Sequence, residues 1–221
     1  MNSYDFTLNA ARLTALGSGA LHWPAERLLV VSDLHFGKSD RIARRNGTLL
    51  PPFETTDTLS RLEADIERCR ATTVICLGDS FDDLAAVDSL TEAETLWLTR
   101  LMAGRRWIWI AGNHDPAPLG LGGSHLGQVN ISGLWFRHIA DPARQDEISG
   151  HYHPKARVSA RGHGQSRPCF LIDGARVILP AFGTYTGGLA CLTPVLAQLM
   201  QPGAVAVLTG PVPHAIPMPR S

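Results

Sequence analysis

The chain of 221 residues is short of cysteine, of charge and of long apolar runs, and each shortage removes a class of protein. Its four cysteines, at positions 69, 76, 169 and 191, show no Cys-x-x-Cys spacing, so neither a four-cysteine structural zinc site nor a disulfide framework is expected. Cys76 lies in an apolar run, where a small buried thiol is the simplest reading. Charged residues make up only 18%, and 20 Lys plus Arg balance 20 Asp plus Glu, so any basic patch must be local. No apolar run is long enough to cross a bilayer, and Met1-Asn2-Ser3-Tyr4-Asp5 lacks the basic-then-apolar order of a secretory signal. A cytoplasmic protein without membrane contact is expected. Apolar residues still reach 44%, enough for one domain with a sizeable core.

What the chain does have is four short strings in a fixed order: Asp33-Leu34-His35, Gly78-Asp79-Ser80-Phe81-Asp82, Gly112-Asn113-His114-Asp115 and Gly150-His151-Tyr152-His153. The first three directly follow apolar, strand-like runs at about residues 28–31, 74–77 and 107–111. A strand buried in a sheet is rigid, so the loop at its tip can hold a ligand accurately. Carboxylate, amide and imidazole together suit a divalent ion of intermediate hardness such as Mn2+, Fe2+ or Zn2+. Singly, each string also suits a plain turn, since Gly, Asp and Asn favour tight turns. Their order is what a set of unrelated turns leaves unexplained.

Around these strings the pattern alternates. Short strands are expected at about residues 6–8, 12–16 and 21–23, helices at about 53–70 and 91–102, and strands again at 134–137, 157–159, 169–172, 176–179 and 204–208. Asp173-Gly174 marks a hairpin. Residues 211–221 carry Pro at 211, 213, 217 and 219, cannot continue a ladder, and are expected to form a loose tail beyond a domain of residues 1–210. Gly37-Lys38-Ser39 is not the end of a P-loop, because Ser32 stands where that motif needs Gly. Three arginines follow it, Arg41, Arg44 and Arg45, and guanidinium groups suit phosphate; an ordinary solvated helix face explains them equally well.

The order D-x-H, G-D-x-x-D, G-N-H-D, G-H-x-H resembles that of the calcineurin-like metallophosphoesterases. The resemblance implies an α/β fold, a four-layer αββα sandwich of two packed mixed β-sheets flanked by helices. It implies two divalent ions, with Mn2+ first and Fe2+, Zn2+ or Mg2+ as alternatives. Asp33, His35 and His153 would hold one ion, Asn113 and His151 the other, and Asp79 would bridge them. The family's remaining histidine falls at His125 or His138. His138 is preferred because Leu134-Trp135-Phe136-Arg137 ends a strand there, whereas His125 follows the glycine-rich run 120–123, which is expected to be flexible. His114 would donate a hydrogen bond or proton to the leaving oxygen, and Asp82 would orient it. The chemistry implied is phosphoester hydrolysis by a water activated between the ions.

Within that family, the stretches 31–38 (VSDLHFGK), 49–52 (LLPP) and 150–155 (GHYHPK) are similar to the bacterial ligase-associated DNA damage response endonucleases, the PdeM group. That likeness implies a DNA phosphodiesterase working beside a DNA ligase and a helicase, with Arg41, Arg44 and Arg45 on the DNA backbone. A hydrolase of small phosphoesters is the alternative activity. A non-catalytic partner-binding scaffold of the same fold is the alternative class.

Overall fold

A computed structural model describes residues 3–39, 53–81, 90–113, 121–160 and 163–220. Two sheets and three helices account for most of them. The first sheet contains β1 (Ser3–Leu8), β2 (Ala11–Leu16), β3 (Leu21–Trp23), β4 (Leu28–Val31), β5 (Thr73–Leu77), β6 (Arg106–Ile110) and β7 (Ser124–Leu126), side by side in chain order. Its first four strands pair antiparallel and β4 to β7 pair parallel. The second sheet holds β8 (Gln128–Ile131), β9 (Leu134–Arg137), β10 (Glu147–Ser149), β11 (Lys155–Ala160), β12 (His163–Ile172), β13 (Arg176–Ile178), β14 (Val205–Leu208) and β15 (His214–Pro217). Its order is β15-β14-β12-β13-β10-β9-β8, and β11 pairs with the outer end of β12.

The apolar pattern of the strands explains the layering. In Leu28-Leu29-Val30-Val31 every residue is buried, but alternate side chains go to opposite faces. Leu28 and Val30 meet Ile75, Ile108, Phe136, Ile148, Phe170 and Val177 between the two sheets. Leu29 and Val31 face outward to α1 (Glu54–Cys69) and α2 (Glu92–Met102), packing with Leu59, Leu62, Ile66 and Leu98. The far face of the second sheet packs Leu171, Ile178 and Ala206 against Leu196 of α3 (Pro194–Leu199). The result is helix, sheet, sheet, helix, the αββα sandwich.

α2 starts where its sequence says it should. Thr91 accepts from the Glu94 amide (3.2 Å) while the Glu94 carboxylate accepts from the Thr91 amide (2.9 Å), a reciprocal capping box. Glu63 of α1 takes the Trp97 indole N–H at 3.0 Å and the Arg100 guanidinium at 2.7 Å, fixing the two helices together. Such exposed ion pairs contribute at most about 1 kcal/mol. Each fully buried Leu, Ile or Phe contributes about 1.5–3 kcal/mol, so it is the apolar layers that hold the strand tips in place.

Two expectations need correcting. Residues 121–126 are not a flexible segment around His125: Ser124–Leu126 pairs in parallel with β6, and the His125 ring stacks on Trp109 with centroids 6.5 Å apart. Gly123, with φ +89°, precedes this edge strand where the chain passes close to β6: a Cβ there would stand 3.0 Å from the Trp107 carbonyl oxygen and 3.1 Å from Trp109 Nε1, and the Trp109 indole donates to the Gly122 carbonyl at 3.0 Å. Nor is the C-terminal stretch a loose tail over His214–Pro217, which pairs antiparallel with β14 from Leu208↔His214 to Val205↔Pro217. The prolines permit this because β15 is an edge strand and Pro217 is its last residue.

Candidate metal centre

The described residues of the four strings meet at the ends of strands from both sheets. Beyond β4 and β5 the chain continues as two parallel loops: the Asp33 amide donates to the Gly78 carbonyl (3.2 Å), His35 to Asp79 (3.0 Å) and Phe36 to Ser80 (3.0 Å). Loops from the second sheet close over them. Gly150 donates to the His138 carbonyl (2.9 Å), Phe182 to Ser32 (2.8 Å) and Gly183 to Asp33 (3.1 Å). Thr184, held by Asp57 and by Arg61 of α1 (2.9 Å to Arg61), anchors that last segment.

Two groups of side chains result, Asp33 with His35 and His153, and Asp79 with His138 and His151. In each, one potential ligand atom from every residue lies within 4.8 Å of the others. Asp33, His35, Asp79 and His138 are buried, while His151 and His153 are half-buried and Asn113 is exposed. The centre therefore opens on the side of Asn113, His151 and His153.

Asp33 shows how the protein divides one carboxylate. Its Oδ2 accepts from the Ser32 hydroxyl and from the His151 amide at 2.9 Å. Its Oδ1 lies 2.9 Å from His153 Nε2. One oxygen is used for positioning and the other is left facing an imidazole nitrogen. Burial pushes the Asp33 carboxyl up, but His153, the charge of His138 and the Ser32 hydroxyl outweigh it and hold the group below its ordinary value, hence ionised.

His138 is oriented from behind. Its Nδ1 lies 2.7 Å from the Leu77 carbonyl, which can only accept, so Nδ1 carries the proton and Nε2 looks into the centre. There it meets Asn113 Oδ1 at 3.0 Å, His151 Nδ1 at 3.1 Å and Asp79 Oδ2 at 3.4 Å. These four groups bring ligand-type atoms to one point, where a proton or a metal ion can be shared among them. Burial pulls the His138 pKa down, but the Asp79 carboxylate and the charge of Asp33 prevail and raise it. His151 moves the other way, lowered by burial and by the charge of His138, and so is kept neutral.

Backbone conformation agrees. Asp33, His35, Asp79, His151 and His153 all have φ between 45° and 70°, in the left-handed region that side chains other than Gly seldom enter. Such strain costs of order 1–3 kcal/mol per residue and gathers at functional sites. Two glycines make the fit possible. A Cβ on Gly78 would stand 2.5 Å from His138 Nδ1, and one on Gly150 would run into Ser32 Oγ and 2.6 Å from Asp33 Oδ2.

Of the residues singled out in the sequence, Asp33, His35, Asp79, Asn113, His138, His151 and His153 are thus brought together. His125 is not, since it stacks on Trp109 in β7 and belongs to neither group. His114, Asp82, Arg41, Arg44 and Arg45 lie outside the described residues. Sequence reading overlooked Ser32 and the Leu77 carbonyl. The position of Ser32 beside a ligand-type Asp is a weak signal, and a backbone carbonyl gives none.

A donor set of Asp, His and Asn fits divalent ions of intermediate hardness, and the two groups of converging ligand atoms fit two of them. Residues 26–179 match the family model of the calcineurin-like phosphoesterases. The chain belongs to that family and is a metal-dependent phosphoesterase. Among solved structures it is similar to the Pseudomonas putida nuclease MPE, with 29% identity, a TM-score of 0.72, and coverage of 96% of this chain and 100% of that one. Yfce, a phosphoesterase from E. coli, aligns at 12% identity and a TM-score of 0.41 over 87% of this chain and 99% of its own. No curated protein sequence matches. No helix among the described residues is long and apolar enough to cross a membrane.

Proposed function

We propose that this enzyme is a two-metal phosphodiesterase that cleaves DNA. The supporting observation is its likeness, over the full length of both chains, to a solved structure named as a nuclease, together with the paired ligand groups at the strand tips. In this reading Asp33, His35 and His153 hold one ion, Asn113, His138 and His151 hold the other, and Asp79 contributes to both. Two divalent ions bound there would activate a water for in-line attack on phosphorus and neutralise charge on the phosphoryl oxygens. Ser32 and the Leu77 carbonyl fix the ligands from behind. His114 donates to the leaving oxygen, oriented by Asp82, and Arg41, Arg44 and Arg45 steady phosphates. Manganese is the expected metal. Cytoplasmic DNA repair beside a ligase and a helicase is the expected setting, on the likeness of stretches 31–38 and 150–155 to the ligase-associated endonucleases.

A substrate panel with Mn2+ tests the reading: bis-p-nitrophenyl phosphate, p-nitrophenyl phosphate, and nicked and single-stranded DNA. Hydrolysis of the diester and of DNA is expected. Hydrolysis of the monoester alone would replace the nuclease by a small-phosphoester hydrolase.

A further inference from the structure

The strand that leaves the metal centre carries two cations with no carboxylate partner among the described residues. Pro154 follows His153, and β11 begins at once with Lys155. Ala156 is buried in the outer layer, so Lys155 and Arg157 point off the opposite face. Among the described residues neither forms an ion pair. The Lys155 ammonium donates to the Thr186 carbonyl at 3.2 Å, which uses one of its three protons. Its Cε and the His153 carbonyl both crowd Gly188, where a Cβ would stand 3.0 Å from the one and run into the other. The Arg157 guanidinium lies exposed beside Gly164.

Residues 189–191 run alongside and build the far wall. Leu189 donates to the Tyr152 carbonyl (3.2 Å), Lys155 to Leu189 (2.8 Å) and Cys191 to Lys155 (2.9 Å). A cavity of about 420 Å³ lies there, lined by Lys155, Arg157, Gly164, Cys191 and Leu192 among others, with no acidic residue among the described residues of its lining. That volume is in the range of small-ligand sites, about 300–1,000 Å³. Two residues of strand cover about 7 Å, so the cations are spaced along a path that starts at His153. With a sequence pI of about 7.1, net charge gives the protein no general attraction for a polyanion, so local groups of cations carry weight.

We propose that Lys155 and Arg157 form a second phosphate subsite, which binds a phosphate of the same chain whose scissile phosphate sits at the metal centre. The inference rests on the nuclease reading and adds what makes a polynucleotide a better substrate than a small diester. A phosphate there replaces the Thr186 contact of Lys155 with a charge-assisted one and gives Arg157 a bidentate partner.

Steady-state kinetics of the Lys155→Met, Arg157→Gln double variant, with Mn2+ and parallel assays on a single-stranded oligonucleotide and on bis-p-nitrophenyl phosphate, test it. The expected result is a rise in oligonucleotide KM, with kcat/KM falling at least tenfold more on the oligonucleotide than on the small diester. The log–log salt dependence of oligonucleotide binding should flatten by about 0.7, the value for one phosphate contact on a single strand. Lys155→Arg should recover most of the loss due to position 155. Unchanged oligonucleotide KM and salt dependence would overturn the subsite. An equal loss on both substrates would also overturn it, assigning the residues to support of the His153 loop. If the parent enzyme hydrolyses bis-p-nitrophenyl phosphate but no oligonucleotide, the nuclease reading itself fails and the subsite goes with it.

Discussion

His138 gives its Nδ1 proton to the carbonyl of Leu77, 2.7 Å away at the end of β5, and thereby turns Nε2 toward Asp79, Asn113 and His151. The contact depends on Gly78, where φ is +78° and a Cβ would stand 2.5 Å from the ring. Gly78→Ala should therefore push His138 out of register. The expected cost is about 1–3 kcal/mol of stability together with loss of the second ion. Thermal unfolding and metal analysis of the purified variant check this, and a variant that keeps two tightly held ions contradicts it.

Left-handed backbone at five ligand-type residues implies that the folded protein is held under local strain, which bound cations offset. Mn2+ at about 100 times its dissociation constant should stabilise the fold by about 2.7 kcal/mol per independent site, and EDTA should remove that gain. Scanning calorimetry with and without metal reads the difference directly. An unfolding temperature indifferent to both metal and chelator would count against a metal centre.

The shifted groups set the direction of the pH dependence. In the metal-free protein the raised pKa of His138 means that folding favours its protonated form. The stability this supplies is full below the ordinary value of 6.5 and is lost as pH rises through the shifted one. Asp33 works in the opposite sense. Its lowered pKa contributes above the ordinary 3.8 and is lost as pH falls through the shifted value. A metal at the second group must displace the His138 proton, so apparent affinity should weaken by about tenfold per pH unit below the His138 pKa. Metal titrations at several pH values check this, and a flat affinity across the window contradicts it.

His114→Ala should lower turnover by about 10²–10⁴-fold while metal content stays near that of the parent, if its role is toward the leaving oxygen. Ser32→Ala should do the reverse. It removes a hydrogen bond that positions Asp33 Oδ2 and should weaken metal binding by about 10–100-fold, with activity recovered at high metal. Kinetics over a range of Mn2+ concentrations separate the two patterns.

Most of the sandwich was legible because its inner strands are apolar on both faces. The expected runs at residues 28–31 and 134–137 coincide with β4 and β9, and α2 begins at its Thr91 capping box. Among the elements missed, β8 and α3 are only four and six residues long, too short for a clear period, and the others carry the opposite signal. β7 follows a glycine-rich run, β15 sits among prolines, and both are edge strands whose pairing partners lie elsewhere in the chain. β10 is three residues long, and its first, Glu147, is a buried carboxylate that reads as surface until Arg137 and Arg176 are found beside it. In the centre, the seven ligand-type side chains were legible from order and residue type. Their orientation was not, because the groups that set it include a hydroxyl next to Asp33 and the carbonyl of Leu77.

A crystal grown with Mn2+ and measured for anomalous scattering tests the central claim most directly. The account predicts two peaks about 3.5–4 Å apart, one among Asp33, His35 and His153, the other among Asn113, His138 and His151, with Asp79 between them. No peak at these side chains, or a single one coordinated by a different set, would contradict it.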